Sequence, residues 1–113
     1  MSLNNLKPSV KLTIENPDAE IKSVFGPGIA ALCKGVRDTG SLNAAAKSMG
    51  MAYSKAWRII KETEEALNMQ LLLRDGAHGS TLTDDGDKLL DAFESLHAEM
   101  QKASEEAFKR IIK

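Results

Sequence analysis

The chain has 113 residues, 42% of them hydrophobic and 27% charged, which sets the scale of one soluble domain with one core and excludes disordered, collagen-like and disulfide-stapled classes. A single cysteine, Cys33, forms no internal disulfide and supplies neither a zinc cage nor a redox pair. No apolar run approaches the roughly 20 residues of a membrane-spanning helix. The start Met1-Ser2-Leu3-Asn4-Asn5 lacks the basic and apolar regions of a secretory signal, so a cytoplasmic location is expected.

Residues 1–9 show no periodicity, pass through Pro8 and are expected to form a flexible tail. Val10 to Glu15 alternates apolar and polar, the period of a strand. Asn16-Pro17-Asp18-Ala19 carries turn chemistry, and Glu20 to Phe25 returns as a second strand with Ile21 and Phe25 on one face, giving an N-terminal β-hairpin. Gly26-Pro27-Gly28 then punctuates the chain, with Pro27 suited to open a helix. Ile29, Leu32, Cys33 and Val36 follow at helical spacing, which makes Cys33 a buried, inert thiol. Gly40 stops this helix and Ser41 caps the next. Its stripe is Leu42, Ala45, Ala46 and Met49, and its three consecutive alanines allow a close helix–helix approach. Gly50 ends it, and a third helix runs from about Tyr53 to Leu67. Two helices joined by a short Gly-containing turn form a helix-turn-helix.

On the third helix Ala56, Ile60, Thr63 and Leu67 face inward, and Ser54, Lys55, Arg58, Lys61, Glu62 and Glu65 face outward. Tyr53 and Trp57 stand one turn apart on the flank of the core stripe, as packed boundary aromatics or base-contacting ones. In either role their polar tips need partners. Gln70 to Arg74 and Ser80 to Leu82 are strand candidates around an Asp75-Gly76-Ala77-His78-Gly79 turn, a hairpin placed where a wing belongs. Thr83 is an N-cap, and Asp84, Asp85 and Asp87 favour the positive end of a last helix reaching about Ile112.

The net charge of −1 is unevenly distributed. Residues 1–33 are neutral, Lys34–Lys61 carries six basic side chains against Asp38 alone, and Glu62–Glu106 carries twelve acids against Arg74, Lys88 and Lys102. A local positive block in a near-neutral chain fits a small anionic footprint or a merely solvated face. Catalysis is not expected. His78 and His97 have no Asp, Ser or Cys at suggestive spacing, and no Gly-rich phosphate loop, HExxH or paired cysteine is present. The acids of Thr83-Asp84-Asp85-Gly86-Asp87 lack the oxygen-ligand pattern of a calcium loop and read as helix capping. Neither a metal nor a cofactor is expected.

A helix about 10–12 Å across fits the major groove and presents N-terminal side chains to base edges. The outward set Ser54, Lys55, Arg58 and Lys61 sits where that geometry needs it. Three stretches then carry a family likeness: Phe25-Gly26-x-Gly28, Gly40-Ser41-Leu42-x-Ala44-Ala45-Ala46-Lys47-x-x-Gly50-Met51, and Tyr53-x-x-Ala56-Trp57. With Leu82-Thr83-x-x-Gly86-x-x-Leu89-Leu90 they resemble, over about Val10 to Met100, the N-terminal DNA-binding domain of ModE-type molybdate-responsive regulators; the last stretch is shared with LysR-type regulators. The resemblance implies a winged helix-turn-helix preceded by a β-hairpin, a long C-terminal dimerisation helix, and a role in activating or repressing transcription. Three features depart from the family. Ala52 supplies no side-chain cap where the family has Ser, the wing from Arg74 to Ser80 is short and poor in Gly, and the sequence contains no recognisable oxyanion site, so molybdate sensing is not expected from the resemblance.

The expected fold is therefore mainly α with small β. A flexible tail spans residues 1–9, a winged helix-turn-helix with its N-terminal hairpin spans 10–83, and a dimerisation helix spans 84–113. The candidate DNA-binding residues are Ser41, Asn43, Tyr53, Ser54, Lys55, Arg58, Lys61, Arg74 and His78. On the last helix Leu89, Phe93, Leu96, Met100, Ala103 and Ala107 recur at alternating spacings of four and three, with Phe108 and Ile111 beyond, as in a coiled-coil seam. That seam predicts a homodimer on an inverted-repeat site in double-stranded DNA; the competing arrangement folds the helix back on its own protomer. The rival function is a winged-helix protein-interaction module that has lost DNA binding.

Overall fold

Pro27 sets the first boundary of the helical core, because its fixed φ suits the first helical position and its missing N–H is not needed there. In the computed structural model, which describes residues 2–76 and 79–113, α1 spans Pro27–Thr39, α2 Leu42–Ser48 and α3 Tyr53–Leu67. Strands β1 (Leu72–Asp75) and β2 (Gly79–Leu82) follow, then α4 (Asp84–Ile111). The strands pair antiparallel, Leu72 opposite Leu82 and Arg74 opposite Ser80, and form the wing.

Helix α1 buries Ile29, Leu32, Cys33 and Val36 as its spacing dictates and ends at Gly40, whose φ of 73° is left-handed. Its Gly35 lies against α2 so closely that an added Cβ would stand 2.5 Å from the Ala45 Cβ. The alanine run of α2 thus meets a glycine on its neighbour, and both small residues are needed for that approach. Ser41 Oγ accepts from the Ala44 N–H at 3.1 Å and caps α2. Met49, expected on the buried stripe, is the C-cap residue and is exposed. Leu42, Ala45 and Ala46 from α2 join Ala56 and Ile60 from α3 and Leu90 and Phe93 from α4 in the core, with Phe25 edge-on to Phe93 at 5.4 Å. Thr63 is buried on α3 at no hydrogen-bonding cost, because its hydroxyl donates to the Ile59 carbonyl at 2.8 Å.

The N-terminal hairpin is reduced to one antiparallel bridge, Ile14 with Phe25, closed by two backbone hydrogen bonds of 2.9 and 2.8 Å. The ladder is stopped on both sides. Continuing it one way would pair residue 12 with Pro27, which has no N–H and already belongs to α1. Continuing it the other way would use the Asn16 carbonyl, which instead accepts from the Ala19 N–H at 3.1 Å. Asn16 also fixes this turn to the end of α3 by donating from Nδ2 to the Ala66 carbonyl at 3.1 Å.

The segment expected as a loose tail lies along α4. Gln101 accepts from the Val10 N–H at 2.9 Å and donates to the Pro8 carbonyl at 2.8 Å, and His97 Nε2 is 2.9 Å from the Val10 carbonyl. One glutamine and one histidine on successive turns therefore serve both backbone groups of Val10, which the shortened ladder leaves free, and the Pro8 carbonyl before it. Gln101 also donates to Glu105 at 2.7 Å, and this bond together with the Lys7 ammonium holds the Glu105 carboxyl below the usual range.

Two ties set the wing and α4 against the helices. Glu64, buried on α3, accepts through one carboxylate oxygen from the N–H groups of Leu71 and Leu72, at 2.7 and 3.1 Å. Arg37 at the end of α1 binds three acids of α4: Asp87 and Asp91 at 2.6 and 2.9 Å and Glu94 at 3.8 Å.

Removing the Glu64 carboxylate orphans two buried donors. Glu64→Ala should cost roughly 2–4 kcal/mol of unfolding free energy, read from denaturant midpoints, and Glu64→Gln, which keeps an acceptor oxygen, should cost less. Burial, reinforced by the Glu64 charge, pushes the Cys33 thiol up from 9.0 to about 12. Cys33 should therefore resist alkylation at neutral pH until the chain unfolds. Its linkage to stability should be adverse above pH 9.0, where the unfolded thiol ionises and the folded one stays protonated, so denaturant midpoints fall as pH rises from there.

Candidate nucleic-acid interface

The turn between α2 and α3 contains Gly50 with a φ of 65°. It delivers α3 with Tyr53, Ser54, Lys55, Arg58 and Lys61 all exposed. Arg58 stands 3.9 Å from Glu62 and Lys61 3.3 Å from Glu64. The Arg58–Glu62 pair joins two exposed side chains and contributes little, so Arg58 remains exchangeable toward an anionic partner, whereas the exposed Lys61 ammonium meets the buried Glu64 carboxylate. Among the described residues Lys55 and Lys47 make no ion pair within 4.0 Å. The amino-terminal half of the positive block does not belong to this surface. Lys34 pairs with Asp38 at 3.5 Å, and Arg37 is held by α4.

The structure brings most of the candidate DNA-binding residues to two clefts that meet at the wing. Ser41 and Asn43 at the start of α2, Tyr53 at the start of α3 and Arg74 on β1 line a cleft of about 490 Å³ with Gly76 and Ser80. Ser54, Arg58 and Lys61 line a second, of about 560 Å³, together with Trp57, Gln70 and again Arg74. Lys55 is exposed on the first turn of α3 and lines neither. Ser41 is half-buried with its hydroxyl committed to the α2 cap, so it shapes the cleft through its position. His78 lies outside the described residues. The wing is tied to the end of α1, where Ser80, opposite Arg74 on β2, donates its N–H to the Gly40 carbonyl at 2.8 Å. Thr83 accepts from Gly86 at 2.8 Å to cap α4 and donates to the Gln70 carbonyl at 2.6 Å.

Trp57 does more than pack at a boundary. Its ring centroid is 5.1 Å from the Arg74 guanidinium and 5.2 Å from the Lys61 ammonium, and it meets Tyr53 edge-on at 6.4 Å. Tyr53 Oη receives a long contact from Arg74 Nη2 at 3.4 Å. Among the described residues, the expectation that both aromatic tips find partners is not met at Trp57, whose indole N–H is buried without one. An orphaned donor of this kind costs about 1–3 kcal/mol. The signal for this cluster was the Trp57/Lys61 spacing of four residues; that Arg74 joins it depends on the wing and was not readable from spacing.

Helix α4 presents two faces. Phe93 is in the protomer's own core, and Phe108 is half-buried in a cleft of about 470 Å³ shared with Leu6 and Pro8 of the N-terminal segment. Leu96, Met100 and Ile111 are 39%, 42% and 73% exposed, with Ala103 exposed and Leu89 and Ala107 half-buried on the same stripe. Among the described residues no three His, Cys, Asp or Glu groups are placed to hold a metal ion, and no helix is long and apolar enough to cross a membrane.

A family model for the bacterial regulatory helix-turn-helix proteins of the lysR family matches residues 31–87, just over half of the chain. The chain is 33% identical over 81 residues to the transcriptional regulator ModE of Yersinia pestis, an alignment covering 68% of this chain and 31% of that protein. It thus spans about a third of the curated relative that it matches. The crystal structure of the CbnR DBD–DNA complex contains a similar fold, with a TM-score of 0.59 at 23% identity, covering 74% of this chain and 94% of that one. The matched residues run from α1 through the wing to the first turn of α4. The chain belongs to the lysR family of bacterial regulatory helix-turn-helix proteins and folds as a winged helix-turn-helix domain.

Proposed function

We propose that the chain acts as a homodimeric, sequence-specific DNA-binding transcriptional regulator, a ModE-like output domain that works on DNA in the cytoplasm. The observation that carries this reading is the convergence of exposed Ser54, Arg58 and Lys61 on α3 with Arg74 of the wing in one cleft, with Lys55 exposed on the first turn of the same helix. The helix is narrow enough to enter the major groove, and the wing lies beside it to meet the backbone. Arginine reads guanine through two parallel hydrogen bonds, so Arg58 is assigned to a base edge, whereas exposed Lys55 on the first turn is assigned to a phosphate.

The exposed stripe of α4 supplies the second half of the reading. A helix of 28 residues is about 42 Å long at 1.5 Å per residue and extends past the core that buries its first turns. Leu96, Met100, Ala103, Ala107 and Ile111 are then left for a symmetry mate, each large side chain being worth roughly 1.5–3 kcal/mol once buried. A twofold dimer presents two α3 helices, so its site is an inverted repeat with half-sites about one helical turn, or a multiple of it, apart.

Binding to duplex DNA should weaken steeply with salt, because neutralised phosphates release counterions; binding that ignores salt, or none, would favour the interaction-module reading. On a site selected from a random pool, Arg58→Ala should cost about 1–3 kcal/mol and relax one base position, while Lys55→Ala should weaken all sequences evenly and flatten the salt slope by about 0.9. Sedimentation should find a dimer at micromolar concentration. Met100→Asp removes two buried methionines per dimer, each worth roughly 1.5–3 kcal/mol, and should split it with DNA affinity falling alongside. A wild-type monomer sinks the dimer.

A further inference from the structure

A wing arginine on a two-stranded ribbon has few neighbours to choose its rotamer. On β1 the preceding Leu73 is exposed, and so is Thr81 opposite it. Arg74 nevertheless has a defined place, 5.1 Å from the Trp57 ring and within 3.4 Å of the Tyr53 hydroxyl. Lys61, one turn beyond Trp57 on α3, approaches the same ring at 5.2 Å. The ring quadrupole attracts both cations, and indole does so better than any other side chain. The indole N–H is shielded from solvent, so the polar end of Trp57 is not offered to a ligand. A phenylalanine here would leave no buried donor orphaned. What tryptophan adds is a wider, more electron-rich ring within reach of two cations that line one cleft.

We infer that Trp57 is a positioning residue for DNA binding: its ring holds Arg74 of the wing and Lys61 of α3 in fixed register, so that the two neutralise phosphates as a unit. The inference rests on the DNA-binding reading of α3. Without the ring, Arg74 keeps only its long contact with the Tyr53 hydroxyl and Lys61 only its ion pair with Glu64, so both must be ordered toward phosphate at the moment of binding, and an arginine's planar fork loses the stacking that pre-organises it.

The test is the affinity of the full chain for a duplex carrying its selected site, measured across a salt series. Arg74→Ala should weaken binding several-fold and lower the salt slope by about 0.9, the loss of one phosphate contact. Trp57→Leu should lower the slope by as much or by up to about 1.8, as one or both contacts are lost. Adding Arg74→Ala to Trp57→Leu should change little further, and Trp57→Phe should restore most of the slope. A Trp57→Leu variant that loses affinity at unchanged slope, or whose loss simply adds to that of Arg74→Ala, overturns the inference. Trp57 is the sole tryptophan, so a second readout needs no change at that position. Arg74→Ala should shift its emission in the free, folded protein, and an unshifted spectrum means that the contact is absent in solution and also overturns the inference. Failure of the wild type to bind DNA in a salt-dependent way is seen before any variant is compared. That result removes the DNA-binding reading itself, whereas a wild type that binds and a Trp57 that proves uncoupled removes only the inference.

Discussion

The placement of the wing depends on one buried carboxylate. Glu64 lies on the inner side of α3 near its end, and its single oxygen gathers the Leu71 and Leu72 N–H groups as the chain leaves the helix for β1. The Leu71 carbonyl is taken from the other direction by the Thr83 N–H at 2.9 Å. Residues 71 and 72 are thus held between the end of α3 and the start of α4, and both side chains are fully buried. A closer approach is enforced at Gly86, where an added Cβ would meet the Leu71 carbonyl. Its base is fixed in this way against the end of α3, and Arg74 two residues along reaches the Trp57 ring. An alanine at position 64 would leave two donors to find water inside the core, so the carboxylate acts as a connector between α3 and β1 more than as a surface charge.

What sequence reasoning could reach was whatever depends on local period and punctuation. Pro27, Gly40, Ser41, Gly50 and Thr83 mark helix boundaries through their own backbone or capping chemistry, and the structure places α1 to α4 accordingly. The wing was legible because turn residues separate two short apolar runs. Glu64 was not, since a glutamate amid Glu62 and Glu65 reads as one more solvated acid, and its two partners lie seven and eight residues away. The shortened N-terminal ladder was hidden for a similar reason. Alternation in Val10–Glu15 describes which side chains face inward, and Leu12 and Ile14 do pack on the core. It does not say where the backbone groups go, and Val10 sends both of its own to α4.

A heptad count on α4 selects every apolar residue near one line, whether its partner is the same chain or another. The structure separates these. Phe93 leans on Phe25, and His97 stacks on Phe93 at 6.3 Å before reaching the Val10 carbonyl. Gln101, Glu105 and Phe108 continue that face under the N-terminal segment. Leu96, Met100 and Ile111 sit on the adjacent face, and nothing in the protomer covers them to the degree that it covers Phe93. The N-terminal segment thereby occupies one side of a helix too long for its own core, which narrows the unpartnered surface to a single stripe. A narrow stripe of this kind suits a helix–helix seam better than a broad sheet-like contact.

The charge distribution resolves along the same lines. A chain of net charge −1 is a poor candidate for a polyanion ligand if its charges are taken in bulk. The acids of residues 62–106 are nonetheless largely committed within the fold. Asp84, Asp85 and Asp87 stand in the first turn of α4, where they complement the helix dipole. Asp87, Asp91 and Glu94 bind Arg37, Glu64 binds backbone, and Glu105 meets Lys7 at 3.7 Å. An acid engaged with a nearby cation or dipole projects little field beyond a Debye length of roughly 8–10 Å at physiological salt. On the α3 side the balance is reversed. Among the described residues Lys55 makes no ion pair within 4.0 Å, Arg58 has only a long one, Lys61 meets the buried Glu64 carboxylate, and Arg74 is held by aromatic rings. An aromatic partner fixes a cation without cancelling its charge, which a carboxylate in the same place would do. Pairing the wing arginine with Trp57 and Tyr53 therefore keeps the local potential positive while removing the disorder of a long side chain, and a near-neutral chain can in this way present a cationic, pre-organised face.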